Sequence, residues 1–170
     1  MLIGIDPGAS GAVAWLSDDG HLVEVLDLPT ASETVNGKKR TRFMPELFAD
    51  LLEGRRPVHA FLEQVNGMPS LPGADGKRRS MGAGSAFAFG MTAGLLRGVL
   101  VGMGIPHTLV PPGEWKKDLK MKKGKEEARI RACQLWPGAA GQFKRVKDDG
   151  RAEAALIGLY GSGRMQGKGL

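Results

Sequence analysis

The chain has 170 residues, enough for one domain with a substantial core and too few for two domains of ordinary size. Its single cysteine, Cys133, excludes an internal disulfide and a cysteine-rich metal site, and is expected to be a small buried hydrophobe. Lysine and arginine exceed aspartate and glutamate by 24 to 18, a net charge of +6, so the surface should attract polyanions. The charge alone is equally compatible with a basic soluble protein that has no polyanionic partner.

The chain opens with apolar, partly β-branched residues at 2–5, which predict a buried strand that ends abruptly at Asp6-Pro7-Gly8. Two further strand-like runs, 11–17 and 21–28, flank Asp18-Asp19-Gly20 and predict a β-hairpin. No basic run followed by an apolar core precedes the first strand, so we expect no signal peptide. A reducing cytoplasm fits this start and the lone cysteine.

The next segments predict a crossover that leads back to the sheet. Residues 29–42 are polar and carry Lys38, Lys39, Arg40 and Arg42, which predicts a positively charged loop. Residues 43–53 have apolar side chains at helical spacing, and residues 57–63 predict a fourth strand with Glu63 at its end. A helical crossover implies that this strand runs parallel to its neighbour.

Residues 66–85 are rich in glycine and proline and include Lys77, Arg78 and Arg79. A long cationic loop directly after a strand-end glutamate favours a substrate-binding flap, and the alternative is a surface excursion without function.

The longest apolar run, residues 86–105, contains Arg97 at its middle and glycines at intervals of four from Gly90 to Gly102. A charged arginine at a bilayer centre is expensive, so we do not expect a membrane span. The glycines share one helix face, which predicts a buried helix with a close-packing groove that could lie at a subunit contact.

The last part of the chain is strongly basic. Residues 107–110 predict a fifth strand, residues 125–136 an exposed helix, residues 142–147 a basic connector and residues 149–160 a final helix. This order predicts an α/β fold with helices on the faces of a sheet. We expect one domain over residues 1–163 and a flexible tail over 164–170.

Four acids from distant parts of the chain are expected to converge. Asp6 and Glu63 end strands that would lie about 4.8 Å apart if adjacent. Asp149 and Glu153 share one face of the final helix, whereas Asp148 suits its N-cap. Carboxylates brought together repel one another unless divalent cations bind them. Two Mg²⁺ ions held in this way would suit phosphodiester displacement.

Each acid alone also has an ordinary structural explanation, because aspartate before Pro-Gly forms turns and acids near a helix start favour its dipole. The three histidines lack ligand spacing, no Ser-His-Asp set can be assembled, and no GxxxxGK[ST] phosphate loop is present.

Three acidic motifs resemble those of the RuvC-type Holliday junction resolvases, which belong to the RNase H-like superfamily. The motifs are Gly4-Ile5-Asp6-Pro7-Gly8, Leu62-Glu63-Gln64-Val65 and Asp149-Gly150-Arg151-Ala152-Glu153. The resemblance extends through Pro112-Gly113-Glu114-Trp115-Lys116-Lys117 and the lysine-rich segment after it. The chain is more similar to the phage and chloroplast branch than to the common bacterial type. Where the bacterial type has two aspartates in its last motif, this chain has Gly150 and Glu153. Where that type has a junction-stacking aromatic, it has Asn66.

The resemblance implies an RNase H-like fold with a five-stranded mixed sheet: three antiparallel N-terminal strands, then parallel strands, flanked by helices. It implies a homodimeric, structure-selective DNA endonuclease that resolves four-way junctions by paired symmetric nicks. Two Mg²⁺ ions per site, replaceable by Mn²⁺, would be held by Asp6, Glu63, Asp149 and Glu153, with Asp148 as the alternative third acid. No membrane or nucleotide cofactor is implied, and the location would be the cytoplasm of a bacterial or phage-infected cell. The implied DNA-binding residues are Lys77, Arg78, Arg79, Lys116, Lys117, Lys120, Lys122, Lys123 and Lys125.

Three alternatives stay open on the sequence. A nuclease of the same fold could cut RNA–DNA hybrids or other branched DNA, and a non-catalytic protein could bind junctions through the same lysines. Actin-like ATPases open with a motif similar to that around Asp6, but they normally need about twice this length and a second phosphate-binding hairpin.

Overall fold

The computed structural model describes residues 1–8, 10–35, 37–65, 71–72, 78–79, 82–122, 124 and 126–167. A five-stranded mixed sheet with strand order β3-β2-β1-β6-β9 organises them. Its strands are β1 (Leu2–Asp6), β2 (Ala12–Leu16), β3 (Leu22–Asp27), β6 (His59–Glu63) and β9 (His107–Val110). Strand β2 is antiparallel to both β1 and β3, while β6 is parallel to both β1 and β9. The predicted sheet is confirmed, including the parallel return of β6.

Five helices accompany the sheet: α1 (Pro45–Glu53), α2 (Ala83–Gly102), α3 (Pro112–Asp118), α4 (Glu127–Leu135) and α5 (Asp149–Met165). Two 3₁₀ turns, Pro137–Phe143 and Val146–Asp148, follow α4 and overlap the two ends of the basic connector predicted over residues 142–147. The final helix runs five residues beyond its predicted end at Tyr160. Residues 164 and 165, expected in a flexible tail, are therefore helical, and residues 168–170 lie outside the described part.

The sheet is covered on both faces, which explains why β1 and β2 are buried along their whole lengths. On one face, Ile3, Ile5 and Trp15 pack with side chains of α1 and α2. On the other face, Leu2 and Leu16 pack with α5, α4 and the buried Trp115 of α3. The core thus forms two layers of apolar side chains, one on each side of the strands.

Helix α5 approaches β1 unusually closely because glycines line the contact. A Cβ atom at Gly4 would overlap the backbone of Ala154 and Gly158. This approach brings the first turns of α5 over the carboxyl end of β1.

Two sequence predictions about peripheral elements are wrong. Residues 29–42 form a hairpin of β4 (Thr30–Val35) and β5 (Lys38–Phe43), not a loop, and Phe43 ends its second strand instead of starting α1. Helix α2 is not the buried helix that the sequence predicted. Its length and composition alone would allow it to cross a membrane. It packs inward through Ala93, Leu96 and Leu100.

The expected flap lies mostly outside the described residues. Its described parts are the two-residue strands β7 (Leu71–Pro72) and β8 (Arg78–Arg79), which pair antiparallel, and residues 82–85, of which 83–85 already form the start of α2 instead of a loop.

Candidate functional site

Asp6 ends β1 at the carboxyl edge of the sheet and is only 6% exposed. The backbone N–H of Gly8 donates a hydrogen bond of 3.0 Å to its Oδ1. Burial, followed by the charges of Glu153 and Glu63, raises the pKa of Asp6 from 3.8 to about 7, although Gly8 and Lys116 oppose the shift. A carboxyl group with this pKa exists in both its protonated and its charged form at neutral pH, and a cation beside it would favour the charged form.

Glu63 lies beside Asp6 because the parallel register pairs Ile5 with Leu62, and the two acids follow these residues. Its Oε1 accepts a 3.1 Å hydrogen bond from Nε1 of Trp115, which is fully buried. Burial and the charge of Glu153 raise the pKa of Glu63. Sequence reasoning gave Trp115 no role of its own, since nothing in its motif indicates which side chain its indole N–H reaches.

Glu153 completes the group from the second turn of α5. Lys116 Nζ lies 2.9 Å from its Oε1, and the same ammonium lowers the pKa of both Asp6 and Glu63. The positive charge of Lys116 therefore favours the ionised form of Asp6 and Glu63, as the charge of a bound metal cation would.

Asp149 lies one turn before Glu153 and forms a second, adjacent ion pair. Its Oδ1 is 2.6 Å from Nε of Arg129, and its side chain is 41% exposed. Both acids line an open cleft of about 610 Å³ together with Lys116 and Lys122. The structure thus brings Asp6, Glu63 and Glu153 together and places Asp149 at the margin of this group.

Asp148, the alternative third acid, is bound elsewhere. It is 1% exposed and accepts hydrogen bonds from the backbone N–H of Arg145 at 2.8 Å and from the Arg145 guanidinium. These bonds hold the pKa of Asp148 below its usual range. It precedes α5 as expected of an N-cap, but its side chain closes the 3₁₀ turn and caps no N–H of the helix.

Gly150 stands at a point where no side chain fits. A Cβ atom there would overlap the carbonyl oxygen of Ser10 and lie 2.8 Å from Oδ2 of Asp6. An acid at this position would need a different path for the start of α5. This chain therefore supplies the acids of α5 from Asp149 and Glu153.

A bidentate ion pair fixes the start of α5 against the sheet. Arg151 donates from Nε to Oδ1 of Asp27 at 2.5 Å and from its terminal nitrogen to Oδ2 at 3.0 Å. Since Asp27 ends β3 at the same edge as Asp6, this pair links the start of α5 to that edge of the sheet.

The donor set suits a hard divalent cation, because all the converging ligands are carboxylate oxygens. As they stand, no three acid, histidine or cysteine side chains among the described residues are grouped tightly enough to hold a metal ion. Lys116 and Arg129 now pair with the acids of α5, so binding of an ion requires those pairs to loosen.

The predicted DNA-binding residues divide into two groups. Lys116 contacts the acids, Lys122 lines the cleft, and Lys117 and Lys120 are exposed on and just after α3. Lys77, Lys123 and Lys125 lie outside the described residues, as do the side chains of Arg78 and Arg79.

Comparison with known proteins places this site in context. No protein-family model matches the chain. The chloroplastic Holliday junction resolvase MOC1 of Chlamydomonas reinhardtii is 34% identical over 117 residues, which are 68% of this chain and 12% of that protein. The chain thus spans a small part of the length of this curated relative.

Two structures of Thermus thermophilus RuvC, one in complex with a Holliday junction substrate, are similar in fold. Their TM-scores are 0.58 for RuvC and 0.55 for the complex, at 17% sequence identity, with 98% of this chain and 96% of each RuvC chain covered. The predicted RNase H-like fold is confirmed. The resemblance to the RuvC-type resolvases, and to their chloroplast branch, is confirmed as well.

Proposed function

We propose that this protein is a metal-dependent DNA endonuclease that resolves four-way junctions by paired symmetric nicks. The observation that supports it most is the convergence of Asp6, Glu63 and Glu153 at one edge of the sheet, inside a chain with a net charge of +6. Acids attract cations to the centre of the site, while basic residues around it attract the DNA backbone. Its similarity to the chloroplast resolvase and to the RuvC fold supports the choice of a four-way junction as substrate.

We propose two Mg²⁺ ions per site, with Mn²⁺ as a substitute, held by Asp6, Glu63 and Glu153 and by Asp149 at the margin. When bound, the ions would supply charge stabilisation for attack of water on a DNA phosphodiester. Asp6 gives the site a buried anchor, because the hydrogen bond from Gly8 fixes one of its oxygens. Trp115 holds Glu63 in place by donating to Oε1.

Lys116 is proposed to change partners when DNA and metal bind. In the structure its ammonium pairs with Glu153, and its 42% exposed side chain borders the cleft. Release from Glu153 would leave it free to contact a phosphate at the cut. Lys117, Lys120 and Lys122 would hold neighbouring phosphates from the surface.

A homodimer is part of the proposal, since two nicks related by symmetry suit a two-fold enzyme. Helix α2 supports it with an exposed apolar face that includes Phe87 (71% exposed), Met91 (47%) and Val101 (66%). A Cβ atom at Gly90, Gly94, Gly98 or Gly102 would meet nothing within 4 Å. An exposed apolar face with small residues along its length is typical of a helix that packs against another subunit.

The substrate is tested with labelled DNA in the presence and absence of Mg²⁺. A mobile four-way junction, a flap, an RNA–DNA hybrid and linear duplex are incubated with the protein, and cleavage sites are mapped on every strand. We expect two nicks at symmetric positions of the junction, only with metal. Preferred cleavage of the hybrid or flap would assign a different nuclease activity. Binding of the junction without metal, and without any cleavage when metal is added, would show that the protein binds junctions but does not cut them.

We also propose a cytoplasmic location in a bacterial or phage-infected cell, supported by the single cysteine. Fractionation of the producing cell, with detection of the protein in the soluble cytoplasmic fraction, tests this point.

A further inference from the structure

Arg129 lies in the first turn of α4, and its side chain is only 11% exposed. Each nitrogen of its guanidinium donates to a different acceptor. Nε donates to Oδ1 of Asp149 at 2.6 Å, and the two terminal nitrogens donate to Oε1 of Glu126 at 2.9 Å and to the backbone carbonyl of Lys144 at 3.2 Å. These bonds join α4, the segment between the two 3₁₀ turns and the start of α5 beside the candidate site.

The contact occupies one of the proposed metal ligands. Asp149 gives its Oδ1 to Arg129, while its Oδ2 accepts no hydrogen bond from the described part of the chain. Asp149 also lines the cleft together with Glu153, which lies one helical turn further along α5. Arg129 thus neutralises an acid whose side chain remains accessible from the cleft.

The two acids of α5 are paired with cations that differ in how firmly they are held. Lys116, the partner of Glu153, is 42% exposed, and its ammonium ends a flexible chain. Arg129 is nearly buried and held by three acceptors, so its planar guanidinium is already ordered when it meets Asp149. A cation that approaches from the cleft therefore displaces Lys116 from Glu153 more easily than it displaces Arg129 from Asp149.

We propose that Arg129 is a positioning residue that competes with a divalent cation for Asp149, so that one of the two proposed metal positions stays weak until DNA is bound. This inference rests on the proposed function and adds a means of regulation to the same site. Phosphate oxygens are good ligands for Mg²⁺, so a bound DNA strand would offset the cost of separating Asp149 from Arg129.

The separation leaves no buried charge without a partner. Arg129 would keep its bonds to Glu126 and to the carbonyl of Lys144, which avoids the large penalty of an isolated buried cation. Arg129 itself would contact neither the DNA nor the reacting atoms. Its effect would be to make completion of the metal site depend on the substrate.

The test measures Mn²⁺ binding by calorimetry in the absence of DNA. We expect the weaker of two Mn²⁺ sites to bind about tenfold more tightly in R129Q than in the unaltered protein, because a charge-assisted hydrogen bond no longer competes for Asp149. K122Q is the matched control, since Lys122 lines the same cleft but pairs with no acid among the described residues. The loss of this exposed charge should change the affinity by less than about twofold.

A double-mutant cycle separates competition from a general loss of positive charge. In the Asp149→Asn background, R129Q should no longer change Mn²⁺ affinity, because the two residues act through one contact. An equal gain in both backgrounds would overturn the inference. So would a weaker Mn²⁺ site in R129Q, which would show that Arg129 helps Asp149 to bind the ion.

The unaltered protein provides a second readout that does not depend on how well a variant folds. In a Mg²⁺ titration followed by NMR, the Nε–H resonance of Arg129 should move only at concentrations that fill the weaker site. A resonance that stays in place when both sites are filled would overturn the inference. An unaltered protein that binds no Mn²⁺ would contradict the proposed metal site itself, whereas equal affinities of R129Q and K122Q would contradict the role of Arg129 alone.

Discussion

Asp6 combines two properties that oppose each other, a buried position and a carboxyl group that would have to ionise to hold the proposed cation. Its pKa of about 7 reflects burial first and the neighbouring acids second. Such a group favours the folded state when protonated and disfavours it when charged, unless a cation is bound.

The stability of the metal-free protein should therefore fall as pH rises from about 4 to about 7. In this range Asp6 keeps its proton in the folded protein and releases it in the unfolded chain. The resulting loss in the free energy of unfolding is at most about 4 kcal/mol. Urea unfolding of the protein in EDTA at several pH values measures it. Asp6→Asn should be less sensitive to pH and more stable than the unaltered protein at pH 8, with Glu63 supplying the remaining slope. Parallel pH curves for the two proteins would contradict this explanation.

Trp115 donates a hydrogen bond to Glu63, so in the proposed cleavage reaction its effect should appear as a pH shift. Trp115→Phe keeps an aromatic ring but removes the N–H that stabilises ionised Glu63, a hydrogen bond worth on the order of 1 kcal/mol. We expect the acidic limb of the cleavage rate profile to move to higher pH.

Trp136→Phe is the matched control, because Trp136 packs against Phe143 away from the acids. A loss of stability without any movement of the limb in Trp115→Phe would show that the indole only fills space.

At the scale of elements, the close contact of α5 with β1 sets the distance between the acids. Gly4→Ala places a Cβ against the backbone of α5, where neither element can yield easily. We expect a loss of about 3 kcal/mol or more in the free energy of unfolding. Gly138→Ala, where the added Cβ meets nothing within 4 Å, should change it by less than about 1 kcal/mol. Similar urea midpoints for both variants would refute the packing explanation.

The sheet could be predicted from sequence because its strands are short apolar runs with clear turn residues between them. The acids at the ends of β1 and β6 followed from that prediction. The hairpin of β4 and β5 was missed because its strands are polar and lack apolar alternation, although Asn36-Gly37 is a strong hairpin turn signal and Gly37 has a φ of +72°.

Helix α2 shows a different limit of sequence reasoning. Its existence could be predicted, but an apolar helix with glycines has no polar face to indicate which side meets the core. Likewise, the pairing of Asp148 with Arg145 and of Asp149 with Arg129 depends on side-chain directions that spacing alone does not give.

For the whole molecule, the exposed face of α2 predicts association into a dimer. Met91→Glu introduces a charge at the centre of that face and should yield a monomer in sedimentation experiments, with nicks no longer paired. Val58→Glu makes the same kind of change at a side chain that is 61% exposed and lies outside α2, so it should remain dimeric. A monomeric unaltered protein, or a dimeric Met91→Glu variant, would contradict the assignment of this face.

The molecule as a whole has a net positive charge, yet it gathers the acids of the candidate site at one edge of the sheet. The most direct test is the nicking rate of a mobile four-way junction by the unaltered protein and by Asp6→Asn, with Mg²⁺ present and junction binding measured in parallel. We predict paired nicks by the unaltered protein, and at least a hundredfold slower cutting by the variant with binding retained. Cutting by Asp6→Asn at the unaltered rate would contradict the claim that these acids form the metal site.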